Sequence, residues 1–165
     1  MTALRKLTGI ALLALGAGAL IVGTFFVQQG FAAESEIKDR MAEEAVTITI
    51  DDVAYPVDTA ELATAQAAIT KPHTLERYGL WQTLEPGSEE RASVLGGLTL
   101  RNSLNKARMG LDLSLMVKAI GGVFMVVGLG FVSTGAMVYT LAARQQAKER
   151  VEAREAVPGL RGLAR

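Results

Sequence analysis

The chain has 165 residues, in which 17 Lys and Arg balance 17 Asp and Glu, with one His and no Cys. This length leaves room for one modest domain beside any membrane spans. The lack of Cys excludes disulfide staples, thiolate metal sites, thiol nucleophiles and lipidation on cysteine. A net charge of zero gives no reason to expect a nucleic-acid partner.

The first six residues form a stub with Arg5 and Lys6 and no acid. Leu7 to Ala33 then carries no charge. As a helix rising about 1.5 Å per residue it exceeds a hydrocarbon core of about 30 Å, so residues 7–33 are predicted to be a first transmembrane helix. A cleaved signal peptide is the competing reading. Gly30-Phe31-Ala32 before Ala33 would serve as a small-x-small site, but an h-region normally runs about 7–15 residues. The length favours a retained span.

Within this run Gly9, Gly16, Gly23 and Gly30 recur every seven residues. A heptad repeat stays on nearly one helix face, drifting by about 20° per repeat, and a left-handed supercoil removes the drift. In lipid, small residues let backbones approach closely. The seven-residue line is therefore a predicted packing seam.

Residues 34–118 form the middle segment, with nine Lys and Arg against fourteen Asp and Glu. About 85 residues is near the lower range for an independent core, and this one has one Trp, two Tyr and no Phe. Ile37, Met41 and Ala45 repeat every four residues, which continues the first helix outward. Val46 to Ile50 is β-branched and alternating, Asp51-Asp52 can turn the chain, and Val53 to Val57 can return. A short β-hairpin is thus expected within 46–57, with Pro56 confining its second strand to an edge. Asp58-Thr59-Ala60-Glu61 reads as a capping-box variant opening an alanine-rich helix over 60–70 that Pro72 should end. Thr74 to Leu84 reads as a short helix broken by Gly79. Pro86-Gly87-Ser88 is a loop, and Ser88 should cap a helix that has Glu89 and Glu90 at its positive end.

This helix is expected to continue into a second span at 119–143. Leu100, Leu104, Ala107, Leu111 and Leu115 mark its apolar face, and Arg101, Asn105, Arg108 and Asp112 a polar one. Arg108 and Asp112 can pair at i, i+4. The polar face either meets solvent or docks an acidic partner or lipid headgroups through Arg101 and Arg108. Trp81 is expected to anchor the domain, packed with Leu80 and Leu84 against Leu100 and Leu104. In the second span Gly121, Gly128 and Gly135 form another seven-residue line, which Ser114 and Ala142 continue with small residues. Its partner is either the first span or a second copy of the chain. If it is the first span, Gly16 should face Gly135 and Gly23 should face Gly128. The tail, 144–165, has six basic residues against three acidic ones. Basic flanks favour the cytoplasmic side, so both termini are expected inside and 34–118 outside.

No residue commits the chain to a chemistry. His73 alone cannot build a zinc or iron site, and Asp51-Asp52 lacks the other spaced oxygens of a calcium loop. Neither span has an acid or base in its interior beyond the Tyr139 phenol, which argues against a pump or carrier. No cofactor, metal or catalytic residue is expected.

From Ile69 to Gly121 the chain resembles a family of small, uncharacterised actinobacterial two-span membrane proteins. The resemblance is carried by Ile69, His73, Trp81, Leu84, Glu85, Arg91 and Thr99-Leu100-Arg101-Asn102-Ser103-Leu104, and covers about a third of the chain. It implies the same topology. Such proteins often carry the label of an aromatic ring-opening dioxygenase subunit. A non-haem iron site needs a set such as two histidines and a carboxylate, and this chain has one histidine.

The combined expectation is a mainly α protein. Two antiparallel transmembrane helices carry a small extracytoplasmic helical domain and a short hairpin. Its expected role is an accessory or scaffolding subunit in a bacterial cell membrane, in contact with the bilayer and with another membrane protein or a second copy of itself. The alternative is a membrane sensor with an extracytoplasmic ligand-binding domain. Trp81, Arg101 and Arg108 are the expected partner contacts.

Overall fold

The computed structural model describes residues 2–155. The chain is mostly helical. In order come α1 (Thr2–Glu43), β1 (Thr47–Ile50), β2 (Val53–Pro56), α2 (Ala60–Tyr78), a 3-10 turn at Trp81–Thr83, and α3 (Glu89–Glu155). α1 and α3 each contain a stretch long and apolar enough to cross a membrane. α3 runs for 67 residues. Two compact units are distinguishable: Val27–Ala119, and the parts of α1 and α3 on either side of it.

The flanking unit is an antiparallel helix pair. Going up α1 from Gly9 through Gly16 to Gly23, the facing positions on α3 descend from Gly135 through Gly128 to Gly121. These glycines are buried, while large apolar side chains on the other faces, such as Ile21, Val123 and Val126, are exposed.

In the middle unit, α1 ends in a Schellman arrangement. Val46 N–H donates to the Met41 carbonyl at 3.5 Å and Ala45 N–H to that of Ala42 at 3.0 Å, with Ala45 at φ 49°. The hairpin then forms with Ile48 opposite Tyr55 and Ile50 opposite Val53. Asp51 and Asp52 both have positive φ, 51° and 63°, as a two-residue type I′ turn requires. Ile48 and Val57 point inward and are almost wholly buried. They meet Met41 of α1, Ala63 and Ala67 of α2, and Leu104 and Leu111 of α3. The small alanines leave room for the branched side chains of the hairpin.

Three local expectations change. The N-cap of α2 is Thr59, whose side chain accepts from Leu62 N–H at 3.2 Å, and not Asp58. α2 also runs through Pro72 to Tyr78. Pro72 and Ala68, whose carbonyl loses its partner, are both exposed, so water can take the missing bond. Gly79, at φ 79°, ends the helix and donates its N–H to the Leu75 carbonyl at 2.9 Å. The third change concerns Trp81. It stands 38% exposed and Leu80 60% exposed, outside the core cluster that the hairpin organises. Ser88 caps α3 as expected, accepting from Arg91 N–H at 3.2 Å.

Candidate functional site

Two places bring chemically distinctive residues together. The first is the glycine line with its polar ends. A Cβ added at Gly16 would lie 2.7 Å from the Gly128 carbonyl oxygen, and one added at Gly128 would lie 2.9 Å from that of Gly16. Gly9 and Gly135 stand in the same relation, at 3.1 and 2.9 Å, and a Cβ at Gly23 would meet the Gly121 carbonyl at 2.7 Å. Real Cβ atoms do not tolerate such distances, so the backbones pack where any side chain would hold them apart. A single pair of carbon atoms at van der Waals distance is worth only about 0.1–0.2 kcal/mol, but the seam gathers many such pairs. Gly18, Gly122 and Gly130 lie on other faces, with open space around them. The facing partners are one heptad away from those expected: Gly16 meets Gly128 and not Gly135, and Gly23 meets Gly121 and not Gly128.

Polar side chains mark the end of this helix pair near the N-terminus. Arg5 donates to Gln145 at 2.9 Å, and Lys6 donates to Gln146. Phe26 and Phe124 stack with ring centroids 6.3 Å apart.

In the middle unit, Gly30 packs against Lys118 and the Ser114 backbone. Lys118 pairs with Glu34 and lies over the Phe31 ring, its Nζ 4.8 Å from the centroid. Lys38 adds a second ion pair to Glu34 at 2.7 Å. Hydrogen bonds from Lys118 and then Lys38 hold the Glu34 carboxyl well below its usual 4.5, at about 2. The same bond to Glu34 pushes Lys38 upward. The sequence names Glu34 and Lys118 as the limits of the two apolar runs, and their opposite charges were the available signal for this pairing.

The second place is a groove of about 430 Å³ between the C-terminal half of α2 and the start of α3. Trp81 and Arg101 both line it, as do Lys71, Leu80, Val94 and Leu98. The two helices close on each other at Gly97, where a Cβ would lie 2.6 Å from the Thr74 hydroxyl. Arg91 stacks over the Trp81 ring, its guanidinium carbon 3.9 Å from the centroid, and reaches the Leu84 carbonyl at 3.5 Å. Such stacking holds the indole at the groove mouth. Arg91 and Lys71 were not singled out as site residues from sequence. Arg108 is not part of this groove; it pairs with Asp112 at 3.6 Å on an exposed face of α3. His73 is exposed on α2, and among the described residues no three His, Asp or Glu side chains gather as a metal-binding set.

Compared with family models, curated proteins and solved structures, the chain matches none.

Proposed function

We propose that this is a non-catalytic, two-span membrane protein that acts as an accessory or scaffolding subunit of a larger membrane assembly. In this reading both termini are cytoplasmic and Glu34–Lys118 lies outside. The observation that carries it is the glycine seam. It satisfies the small-residue faces of α1 and α3 within one chain and leaves bulky apolar faces outward, available to lipid or a neighbouring protein. The basic flanks Arg5, Lys6 and Arg144 support the orientation. Single cysteines test it: Glu85→Cys should react with an impermeant thiol reagent on intact cells, and Lys148→Cys should react only after lysis. The reverse pattern sinks the topology. Purification in mild detergent should retain a stoichiometric membrane partner, and a lone monomer would count against the scaffolding role.

A second reading, a membrane sensor with an outer ligand-binding domain, is favoured by the groove beside Trp81. It differs from the first in expecting a small molecule, and not a protein, at the middle unit.

A further inference from the structure

The groove between α2 and α3 has an uneven chemistry. Its wall is apolar, from Leu75, Leu80, Trp81, Val94 and Leu98. Its charged members are Lys71 and Arg101, and no Asp or Glu lines it. Among the described residues neither cation has an ion-pair or hydrogen-bond partner. Arg91, by contrast, is engaged with Trp81 and Leu84. Elsewhere in the middle unit Lys38 and Lys118 share Glu34, Arg40 meets Glu36 and Arg108 meets Asp112, while Arg77 lies over the Tyr78 ring and Lys106 has no acidic partner among the described residues. A volume of about 430 Å³ suits one small molecule and falls in the usual range of about 300–1,000 Å³ for ligand sites.

We infer that this groove binds a free, small amphiphilic anion, a carboxylate or phosphate on a short apolar body. The head group lies between Lys71 and Arg101, where a guanidinium and an ammonium supply charge-assisted hydrogen bonds. The apolar body covers Trp81, Leu80 and Leu98, which otherwise face water. The inference deepens the sensor reading and rests on it for biological use. The binding chemistry stands apart from that reading, because signalling would be read separately from occupancy.

Trp81 is the sole tryptophan, so its emission reports the groove directly. The full chain in phosphatidylcholine nanodiscs is titrated with octanoate, 1-octanol and inorganic phosphate. Octanoate should give a saturable blue shift at a concentration about tenfold below any response to 1-octanol, and phosphate should compete weakly. Lys71→Gln with Arg101→Gln should raise the octanoate midpoint about tenfold or more at unchanged helical circular dichroism, whereas Arg108→Gln should titrate like the parent. A non-saturating response, an equal response to 1-octanol, or a double variant that titrates like the parent overturns the proposal. Should the double variant not fold, the octanoate–octanol contrast on the parent chain decides. Emission already shifted in discs containing phosphatidylglycerol, and then insensitive to octanoate, would assign the groove to membrane lipid and also overturn it. None of these failures touches the accessory-subunit reading, which stands or falls on co-purification.

Discussion

Gly16 and Gly128 face each other backbone to backbone, each occupying the space in which the other's Cβ would stand. A side chain at either position must move whole helices, because the atoms it meets include a backbone carbonyl oxygen and an amide nitrogen, which cannot rotate aside as the neighbouring Val132 and Leu20 side chains can. Gly128→Leu should therefore destabilise the helix pair by at least the roughly 1–3 kcal/mol of an overpacked core. Gly130→Leu, which meets open space, should stay within about 0.5 kcal/mol. Thermal unfolding in detergent compares the two, and equal effects would remove the seam from the account.

The register can be tested without disturbing a glycine. Phe26→Cys with Phe124→Cys should cross-link within one chain under a short bifunctional thiol reagent, since the two rings stack. A pairing slipped by one heptad would separate them by about 10 Å and abolish the reaction. Dimers as the sole product would make the line an interface between copies.

Glu34 gives a pH dependence with a definite sign. Its folded-state pKa is depressed to about 2 from 4.5. The ion pairs with Lys118 and Lys38 thus add stability that is complete above about pH 4.5 and disappears as the pH falls toward about 2. Acid unfolding curves of the parent and Glu34→Gln should differ at neutral pH and converge at the acid end. A difference that grew as pH fell would reverse the assignment.

Ile48, 1% exposed, is the better target in the middle unit than Trp81. Ile48→Ala should cost about 2–5 kcal/mol, as expected for a buried aliphatic side chain. Trp81→Ala should cost less, since the indole is partly solvated and its removal leaves no enclosed cavity. Chemical denaturation followed by circular dichroism ranks them, and a larger loss at Trp81 would restore it as the anchor.

Ala45 occupies the left-handed position that closes α1, where glycine is the usual residue. Ala45→Gly should stabilise the protein by about 1 kcal/mol, the steric cost of that conformation for an L-residue. A lower melting temperature in the variant would show that the Schellman geometry is not retained.

Most elements were legible along the chain, the exception being α2, which continues through Pro72 to Tyr78. Uncharged runs, the Asp51-Asp52 turn, the Ser88 cap and the seven-residue glycine spacing are local patterns, and local patterns survive without knowledge of the partner. The pairing of those patterns was not legible. A ladder with glycine at every seventh position looks the same after a slip of seven, so Gly16 can meet Gly128 or Gly135 with equal sequence logic. The degeneracy is broken by groups off the ladder: Arg5 and Lys6 against Gln145 and Gln146, and Phe26 against Phe124. The same holds for the small core. Size alone pointed to Trp81, but the hairpin delivers Ile48 and Val57 to the gap left by Ala63 and Ala67, and the tryptophan lies beside a groove under Arg91. Sequence determined which faces could pack, because periodicity and residue size are properties of one segment. Tertiary structure decided which faces met, because burial is shared between segments distant along the chain.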